Sequence, residues 1–544
     1  MPDPAADLVV RGGRVYTVDD ALPWAEAVAV RGERILAVGD EAEILELAGP
    51  ATEVLDADGG LVLPGFVDAH NHVRLGIPDA VDLSTATDLG QIHRMLRDVV
   101  AADPSVTWVE AGRFMYGAIP GGRTPTADDL PEEVTGGRPA FLVSYDAHTV
   151  WMNRPAMQRF GIGRGVERVA FGEVELDAAG EPTGFVTGFA VMGLSRAGLA
   201  LMSSELPGLS PDGQYRRLSR ALDMAIGYGI TTIVEPQNSP DDIPLFVRAR
   251  DEGATRSRVI AAMFHPPATT PEEVDEFEEV KGTYDDDRFR VGPIKLYIDD
   301  VIEPHTAAML EDYANRPGER GALFWEPGEF AELIASLERR GFQTFTHAIG
   351  DRGIRTALDA IEHARRVNGP KDARHQLVHC EVVQPQDQPR FAQLGVVACM
   401  QPRHAAPDIT GVWTENVGPE RWPYSLPWRA LHDAGAVLAF SSDWDVAEMD
   451  PLVGIYTAIT RADLEGKDAW VTELCVDLPT AIRAYTMGSA FANFADGDRG
   501  SATTGKFADL VVIDRDLFRL GDPLEILDAR VTLTVVGGEV VYRA

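Results

Sequence analysis

Short apolar runs alternate with helix-like stretches through the middle of the chain. Eight runs have the length and composition of buried strands: residues 61–68, 230–234, 259–264, 294–298, 344–346, 376–378, 396–400 and 437–441. Strands that alternate with helices are typical of a parallel sheet. Eight such units predict an α/β fold of the (β/α)8 TIM-barrel type, whose functional side chains lie at the carboxyl ends of the strands.

The two ends of the chain have a different pattern, in which short apolar strands alternate with turn residues. Residues 7–52 contain several such strands, and residues 508–542 contain more, around a Gly-Gly turn at 537–538. This pattern predicts β-hairpins. We therefore predict a small β-sandwich built from residues 1–60 and 491–544, with a barrel domain at residues 61–490 inserted between its two parts.

The first and second apolar runs are separated by a segment that is far too long for a loop. Its own strand and helix signals predict an inserted subdomain at about residues 74–218, rich in aromatic residues, arginine and glycine. Because it follows the first barrel strand, we expect it over the mouth of the barrel, as a substrate lid.

Charge and cysteine content narrow the classes of function. The chain has 544 residues, with 49 basic and 85 acidic side chains, so its net charge is −36. Such a charge argues against nucleic acid or an anionic membrane as a partner. No apolar run is long enough to span a bilayer, and no secretory signal is evident. Three widely spaced cysteines make a disulfide framework unexpected and fit a reducing cytoplasm.

His70 and His72 follow the first predicted strand at positions i and i+2. Side chains alternate across a strand, so both imidazoles point the same way. Two imidazoles at the end of a buried strand form half of a metal site. Taken alone, such a pair more often indicates hydrogen-bonded histidines at a strand edge than a metal site, since short motifs give false positives.

Four more candidates lie at or just beyond predicted strand ends: Lys295, His347, His379 and Asp443. Each alone has an ordinary explanation, such as a core histidine or a lysine paired with a nearby aspartate. Together at one face of a barrel they favour a metal centre, because imidazole and carboxylate suit zinc and similar ions. Lys295 could join them if its amine had reacted with carbon dioxide, since the resulting carbamate can bridge two ions. An apolar environment favours the neutral, reactive amine.

Motifs along the whole chain resemble those of a known family. They are Pro-Gly-Phe-Val-Asp-Ala-His-Asn-His at 64–72, Gly-Arg-Thr-Pro-Thr at 122–126, Asp-Ala-His at 146–148, Gly-Glu-Pro-Thr-Gly at 180–184, Thr-His-Ala-Ile-Gly-Asp-Arg at 346–352, Met-Gln-Pro at 400–402, Ser-Asp-Trp at 442–444 and Gly-Lys-Phe-Ala-Asp-Leu at 505–510. The chain resembles the amidohydrolase superfamily, in particular its amidohydrolase-3 group of YtcJ-like and N-substituted formamide deformylase-like proteins.

The resemblance implies a centre for two divalent ions, expected to be Zn²⁺. His70 and His72 would hold one ion, and His347 and His379 the second. Lys295, as a carbamate, would bridge them. A mononuclear site with unmodified Lys295 is the alternative.

The resemblance also implies metal-assisted hydrolysis of a non-peptide C–N bond in a small molecule by an activated water. Asp443 would contact the first ion, accept the proton of the water and pass it to the leaving nitrogen. His148, in the inserted subdomain, and Arg352 would stabilise the oxyanion or orient the substrate. Three aromatic residues are candidates for an apolar substrate wall: Trp108, Tyr116 and Trp444.

Other functions stay open at this point. The same centre could hydrolyse an ester, a lactone or a cyclic imide, or could deaminate its substrate. A protein that binds metal without turnover is the alternative from outside the enzymes. The resemblance further implies a homodimer.

Overall fold

The computed structural model describes residues 5–75, 81–193 and 195–544. The chain divides into two compact units, the first made of Met1–Val73, Leu222–Pro236 and Phe246–Ala544, and the second of Arg74–Ala221 with Gln237–Leu245. The predicted sandwich range 1–60 and the predicted insertion 74–218 include residues 1–4, 76–80 and 194, which lie outside the described residues.

Eight parallel strands form one sheet in which each strand neighbours the next in the chain. They are β1 (Phe66–Asp68), β2 (Ile230–Asn238), β3 (Arg258–Phe264), β4 (Phe289–Tyr297), β5 (Thr344–Ala348), β6 (Gln376–His379), β7 (Val397–Met400) and β8 (Val437–Phe440). A bridge between Asn71 and Trp444 links the ends of β1 and β8, so the sheet is nearly closed. The predicted TIM barrel is confirmed.

Helices follow the barrel strands along the chain. The α-helices from β2 onward are Ile243–Asp251, Pro271–Thr283, Pro327–Arg339, Asp351–Asn368, Gln388–Leu394, Gly411–Val417, Trp428–Asp433, Pro451–Thr460, Leu478–Arg483 and Ser489–Ala492, and Pro211–Gly227 precedes β2. In Asp351–Asn368 the buried residues include Ile354, Leu358 and Ile361, a spacing that gives one apolar face. Within the described part of the chain, no helix is long and apolar enough to cross a membrane.

Two further sheets are built from the two ends of the chain, the first from the N-terminal part and the second from both ends. One contains Ala6–Arg11, Ala27–Arg31, Arg34–Gly39 and Ala48–Asp56, and the other contains Arg14–Tyr16, Trp24–Ala25, Leu61–Pro64, Leu510–Ile513, Val531–Val536 and Glu539–Arg543. Val10 and Val28 from the first sheet share a buried cluster with Val62, Leu510 and Val535 from the second. The sheets therefore pack face to face, as in a β-sandwich.

The run at 61–68, predicted as one strand, is two strands. Leu61–Pro64 pairs with Leu510–Ile513 in the sandwich, whereas Phe66–Asp68 pairs with β2 in the barrel. Gly65 lies between them, and a Cβ there would come within 2.2 Å of the Thr231 side chain. Only glycine permits this close approach, so the chain passes from sandwich to barrel at Gly65 rather than after residue 60.

The second unit has its own sheet and its own core. The strands are Val81–Asp82, Val109–Phe114, Ala140–Ser144, Val150–Met152, Arg168–Val169, Gly172–Leu176 and Pro182–Thr187, and the α-helices are Leu89–Ala102, Glu132–Thr135, Arg154–Arg159, Phe189–Met192 and Arg196–Glu205. Leu89–Ala102 begins after Asp88, whose side chain accepts a hydrogen bond from the Gln91 N–H at 2.9 Å. Such a cap satisfies a backbone donor at the start of a helix.

A buried ion pair joins the barrel to the sandwich. The Asp509 carboxylate accepts hydrogen bonds from Arg258 Nε at 2.8 Å and Nη2 at 3.0 Å, and from the Gly537 N–H at 2.8 Å. Arg258 begins β3, and Asp509 directly precedes the sandwich strand Leu510–Ile513. Loss of one partner from such a pair leaves an uncompensated charge in the interior.

We expect Asp509→Ala to lower the free energy of unfolding by about 3–5 kcal/mol, because Arg258 would be left buried and unpaired. Urea denaturation measures this change. Asp433→Ala is the matched control, since the Arg429–Asp433 pair is about half exposed and such helix pairs contribute about 0.3–0.5 kcal/mol. Equal losses in the two variants would contradict the prediction.

Candidate metal centre

His70 and His72 place their Nε2 atoms side by side just beyond β1. The two atoms are 3.2 Å apart, and Asp443 Oδ1 lies 3.1 Å from the first and 3.3 Å from the second. Ligands held at about 2.0–2.1 Å by a tetrahedral zinc ion are about 3.3–3.4 Å from one another. These three buried side chains therefore have the spacing of three corners of a zinc tetrahedron, and they fit a divalent ion.

Asp68 fixes the position of these three candidate ligands. Its carboxylate accepts hydrogen bonds from the Ser442 N–H at 3.0 Å, the Ser442 hydroxyl at 2.6 Å and Asn71 Nδ2 at 2.9 Å. Burial raises the pKa of Asp68 to about 6, although these hydrogen bonds oppose the rise. Since Ser442 precedes Asp443 in the chain, the network fastens the end of β1 to the end of β8.

A second pair of imidazoles, His347 and His379, lies next to the first pair. Their ring centroids are 4.5 Å apart, and the His379 centroid is 5.3 Å from that of His70. His347 Nε2 is 3.2 Å from the backbone oxygen of Asp300, and His379 Nδ1 is 2.8 Å from Gln401 Oε1. Both oxygens only accept hydrogen bonds, so these nitrogens carry the ring protons. The lone pairs are then on His347 Nδ1 and His379 Nε2, as ligand histidines require.

Lys295 lies in β4, and its charge would act on members of both pairs, His70 and His379. Its side chain is fully buried, and Nζ has no hydrogen-bond partner among the residues described. Nζ is 4.8 Å from the ring centroid of Tyr297, which stacks on His347, and 5.2 Å from that of Phe345, which contacts His70. Burial lowers the pKa of Lys295 to about 7, so much of the amine is neutral near pH 7.

His404 also reaches the centre, although the sequence analysis did not select it. It lies in the short 3-10 helix Pro402–Ala405 just beyond β7. Its Nε2 atom is 3.6 Å from Asp443 Oδ2, and its ring stacks on His379 with centroids 5.9 Å apart. The sequence signal that could have identified it is its position just after a barrel strand.

Comparisons with known proteins identify the family. Residues 53–542 match the family model Amidohydro_3, described as the amidohydrolase family. The chain belongs to this family.

Relatives of this amidohydrolase match it over nearly its whole length. Protein LONG AFTER FAR-RED 3 from Arabidopsis thaliana is 28% identical over 99% of the chain and 92% of its own length. N-substituted formamide deformylase from Arthrobacter pascens is 27% identical, and Putative amidohydrolase YtcJ from Bacillus subtilis is 26% identical, each over 98% of both chains. The group that the motifs predicted is therefore confirmed.

Solved structures show the same fold at lower identity. An uncharacterized metal-dependent hydrolase from Pyrococcus horikoshii OT3 has a TM-score of 0.73 and 21% identity, covering 98% of this amidohydrolase and 100% of the solved chain. Atrazine chlorohydrolase TrzN from Arthrobacter aurescens TC1, complexed with zinc, has a TM-score of 0.53 and 17% identity, covering 98% and 95%. The barrel fold thus recurs where the sequences have diverged widely.

The electrostatics of the centre keep the candidate ligands of this amidohydrolase in the forms that bind a cation. Burial lowers the pKa of His70 to about 3. Burial, with His347 acting in the same direction, holds the pKa of His379 well below its usual range. Burial alone would raise the pKa of Asp443, but the neighbouring histidines outweigh it and hold this pKa well below its usual range. His70 and His379 are therefore neutral near pH 7, whereas Asp443 is ionised.

Two of the candidate ligands have left-handed backbone conformations. The φ angle is +73° at His379 and +56° at Asp443. A non-glycine residue in this region costs about 1–3 kcal/mol and persists where the surrounding structure imposes it, often at functional sites. In this amidohydrolase, both strained residues follow or end barrel strands at the candidate metal centre.

The structure does not support Trp108 as a substrate wall. Trp108 is buried in the core of the second unit, with its ring centroid 5.6 Å from that of Phe160. The surrounding side chains cover the ring, so the substrate wall at Trp108 stays a prediction that the packing does not favour. Trp444 is also buried, and its backbone oxygen accepts a hydrogen bond from the His72 N–H at 2.6 Å. Trp444 therefore contacts the candidate centre through its backbone.

The remaining predicted substrate residues stay predictions. Tyr116 and His148 lie in the second unit and share one partner: Asp146 accepts hydrogen bonds from the Tyr116 hydroxyl at 3.1 Å and from the His148 N–H at 3.0 Å. Arg352 lies in the first unit, where Nη2 donates to the Gly321 oxygen at 2.9 Å.

We expect Asp68→Asn to weaken metal binding at His70, His72 and Asp443 by about 10–100-fold, because supporting partners of metal ligands have effects of this size. Competition with a chromogenic chelator measures the affinity. Asp433→Asn, on the exposed surface, is the control and should bind metal as the wild type does. If Asp68→Asn and the control have equal affinities, Asp68 does not support the ligands.

Proposed function

We propose that this amidohydrolase hydrolyses a non-peptide C–N bond of a small molecule, in the class of N-acyl and N-formyl amines. The observation that carries the proposal is the convergence of His70, His72 and Asp443 at zinc-ligand spacing, beside His347 and His379. The full-length similarity to an N-substituted formamide deformylase supports the choice of bond and of substrate class.

The proposed cofactor is a pair of Zn²⁺ ions. His70, His72 and Asp443 would hold one, and His347 and His379 the other, each histidine through the nitrogen that carries its lone pair. When bound, the ions supply a Lewis acid for the carbonyl group and make a nearby water acidic. The zinc complex of the structural neighbour TrzN is consistent with this choice of metal.

Lys295 is proposed to bridge the ions as a carbamate. Its neutral amine would add to the carbon of carbon dioxide, forming an N–C bond and releasing one proton to water, so that a carboxylate is attached to Nζ. The absence of a hydrogen-bond partner for the fully buried Nζ within the described chain supports this modification. A bare ammonium there would be costly, whereas a ligated carbamate has its charge compensated.

Asp443 is proposed as the group that moves the proton. Its low pKa leaves it ionised at neutral pH, so it can accept the proton of the attacking water and then donate it to the leaving nitrogen. Asp443 is itself buried, which limits competing solvent. His148 and Arg352 are proposed to orient the substrate, and the homodimer also stays a prediction.

Removal of metal by a chelator should abolish hydrolysis of N-formyl and N-acyl amines, and Zn²⁺ should restore it, because the ions activate water and substrate. Plasma mass spectrometry should find about two ions per wild-type chain. Lys295→Ala should retain fewer ions and should lose hydrolysis.

Lys371→Ala is the control for that experiment, since the Lys371 side chain is 43% exposed. One ion per chain in both wild type and Lys295→Ala would exclude the bridge. A protein that binds metal but hydrolyses none of these amines would exclude the proposed substrate class.

Asp443→Asn should lower kcat by about 10²–10⁴-fold, the usual contribution of a proton-transferring side chain. An amide cannot accept the proton of the water. Because Asp443 is also a candidate ligand, the comparison should be made at saturating Zn²⁺ with the metal content measured alongside. A fully loaded variant with wild-type kcat would contradict the role of Asp443.

A further inference from the structure

The two carboxylate oxygens of Asp443 face different partners. Oδ1 lies 3.1 Å from His70 Nε2 and 3.3 Å from His72 Nε2, whereas Oδ2 lies 3.7 Å from His379 Nδ1 and 3.6 Å from His404 Nε2. His404 Nε2 is buried and has no hydrogen-bond partner in the described ranges. The second oxygen of Asp443 therefore faces a histidine to which no function has been given so far.

Glu381 and Trp413 determine which nitrogen of His404 faces the centre as an acceptor. Trp413 Nε1 donates to Glu381 Oε2 at 2.6 Å, and the backbone oxygen of Glu381 accepts from the Leu426 N–H, also at 2.6 Å. Glu381 Oε1 is then 3.7 Å from His404 Nδ1. A carboxylate on that side favours a proton on Nδ1, which leaves the lone pair on Nε2.

With a proton on Nδ1, His404 directs the lone pair of Nε2 towards Asp443 Oδ2, 3.6 Å away. Two acceptors cannot hydrogen-bond to one another unless a proton or a metal cation lies between them. A metal ion bound at Nε2 would supply that positive charge. The order carboxylate, imidazole, metal is the usual arrangement around a ligand histidine, and Glu381 and His404 lie in that order towards Asp443.

His379 belongs to the same group of side chains, and its lone pair is on Nε2, because Nδ1 donates to Gln401 Oε1. His379, His404 and Asp443 each offer one ligand atom, and these atoms all lie within 4.8 Å of one another. The rings of His379 and His404 are nearly parallel, at 8°. We propose that His404 is a further ligand of the second metal ion, held by Glu381 and Trp413, and that it shares this ion with His379, while Asp443 Oδ2 faces the ion and stays free to take the proton of the water.

The proposal rests on the proposed function, because it presumes a metal centre, and it deepens that function by adding a ligand beyond those the motifs implied. It also distinguishes Glu381 from the ligands: Glu381 is a positioning residue that acts through His404. The two residues should therefore have coupled effects on metal binding, which unrelated residues would not show.

Zinc titration of the metal-free protein, in competition with a chromogenic chelator, tests the proposal. We expect His404→Ala to weaken binding of the second ion at least about 10-fold and Glu381→Gln to weaken it about 10–100-fold, with the first ion unaffected. The double variant should bind the second ion no more weakly than His404→Ala alone. His432→Ala is the control, since the His432 side chain is 48% exposed.

Cobalt substitution gives a readout that does not depend on activity. The visible absorption of bound Co²⁺ should change in His404→Ala and stay unchanged in His432→Ala, because a ligand alters the metal spectrum directly. Circular dichroism shows whether each variant is folded. If His404→Ala does not fold, Glu381→Gln, which keeps the size of the side chain, carries the test by itself.

The outcomes separate this proposal from the proposed function. Wild-type zinc affinities and an unchanged cobalt spectrum in His404→Ala and Glu381→Gln would overturn the ligand role of His404, even if hydrolysis fell, and the proposed function would stand. A wild-type protein that binds no metal would overturn both. Weaker binding of the second ion by correctly folded His404→Ala and Glu381→Gln variants would support the proposal, whatever the substrate proves to be.

Discussion

The contact between the ends of β1 and β8 is the constraint on which the centre depends. The Asp443 N–H donates to the His70 oxygen at 2.9 Å, and the His72 N–H donates to the Trp444 oxygen at 2.6 Å. These bonds hold the first and last barrel strands together, although about 370 residues separate them in the chain. Without this closure, Asp443 would not lie beside His70 and His72, and the candidate ligands from the other strands would not converge with them.

The low polarity of the barrel interior explains the chemistry of the residues that face it. Small and branched side chains, such as Ala262, Val397 and Ala439, fill the space below the centre. In such surroundings a protonated imidazole or ammonium is costly, which is why the pKa values of His70 and Lys295 fall. Asp443 is ionised in the same surroundings, and a divalent cation would compensate its buried charge.

The strand pattern and the histidine spacing could be predicted because both are local properties of the sequence. The run at 376–378 became β6, Gln376–His379, and the i, i+2 spacing of His70 and His72 alone places both rings on one side. The chain also carries its family motifs from residue 64 to residue 510, so the family and the barrel followed from the sequence.

Features that depend on tertiary packing could not be predicted in this way. The break at Gly65 depends on the close approach of Thr231, and the core position of Trp108 depends on the packing of Phe160. The contact of His404 with Asp443 depends on how the segment after β7 folds back over the centre. In each case the decisive neighbour is distant in sequence, and a strand or motif pattern carries no information about it.

The central claim is that the histidine pairs hold two metal ions beside Asp443. A crystal structure with anomalous diffraction data collected at the zinc edge tests it most directly. The account predicts two anomalous peaks about 3.5–4 Å apart, one among His70, His72 and Asp443 and the other beside His347 and His379. A zinc-loaded crystal with no peak at these residues, or with peaks only elsewhere on the protein, would contradict the account.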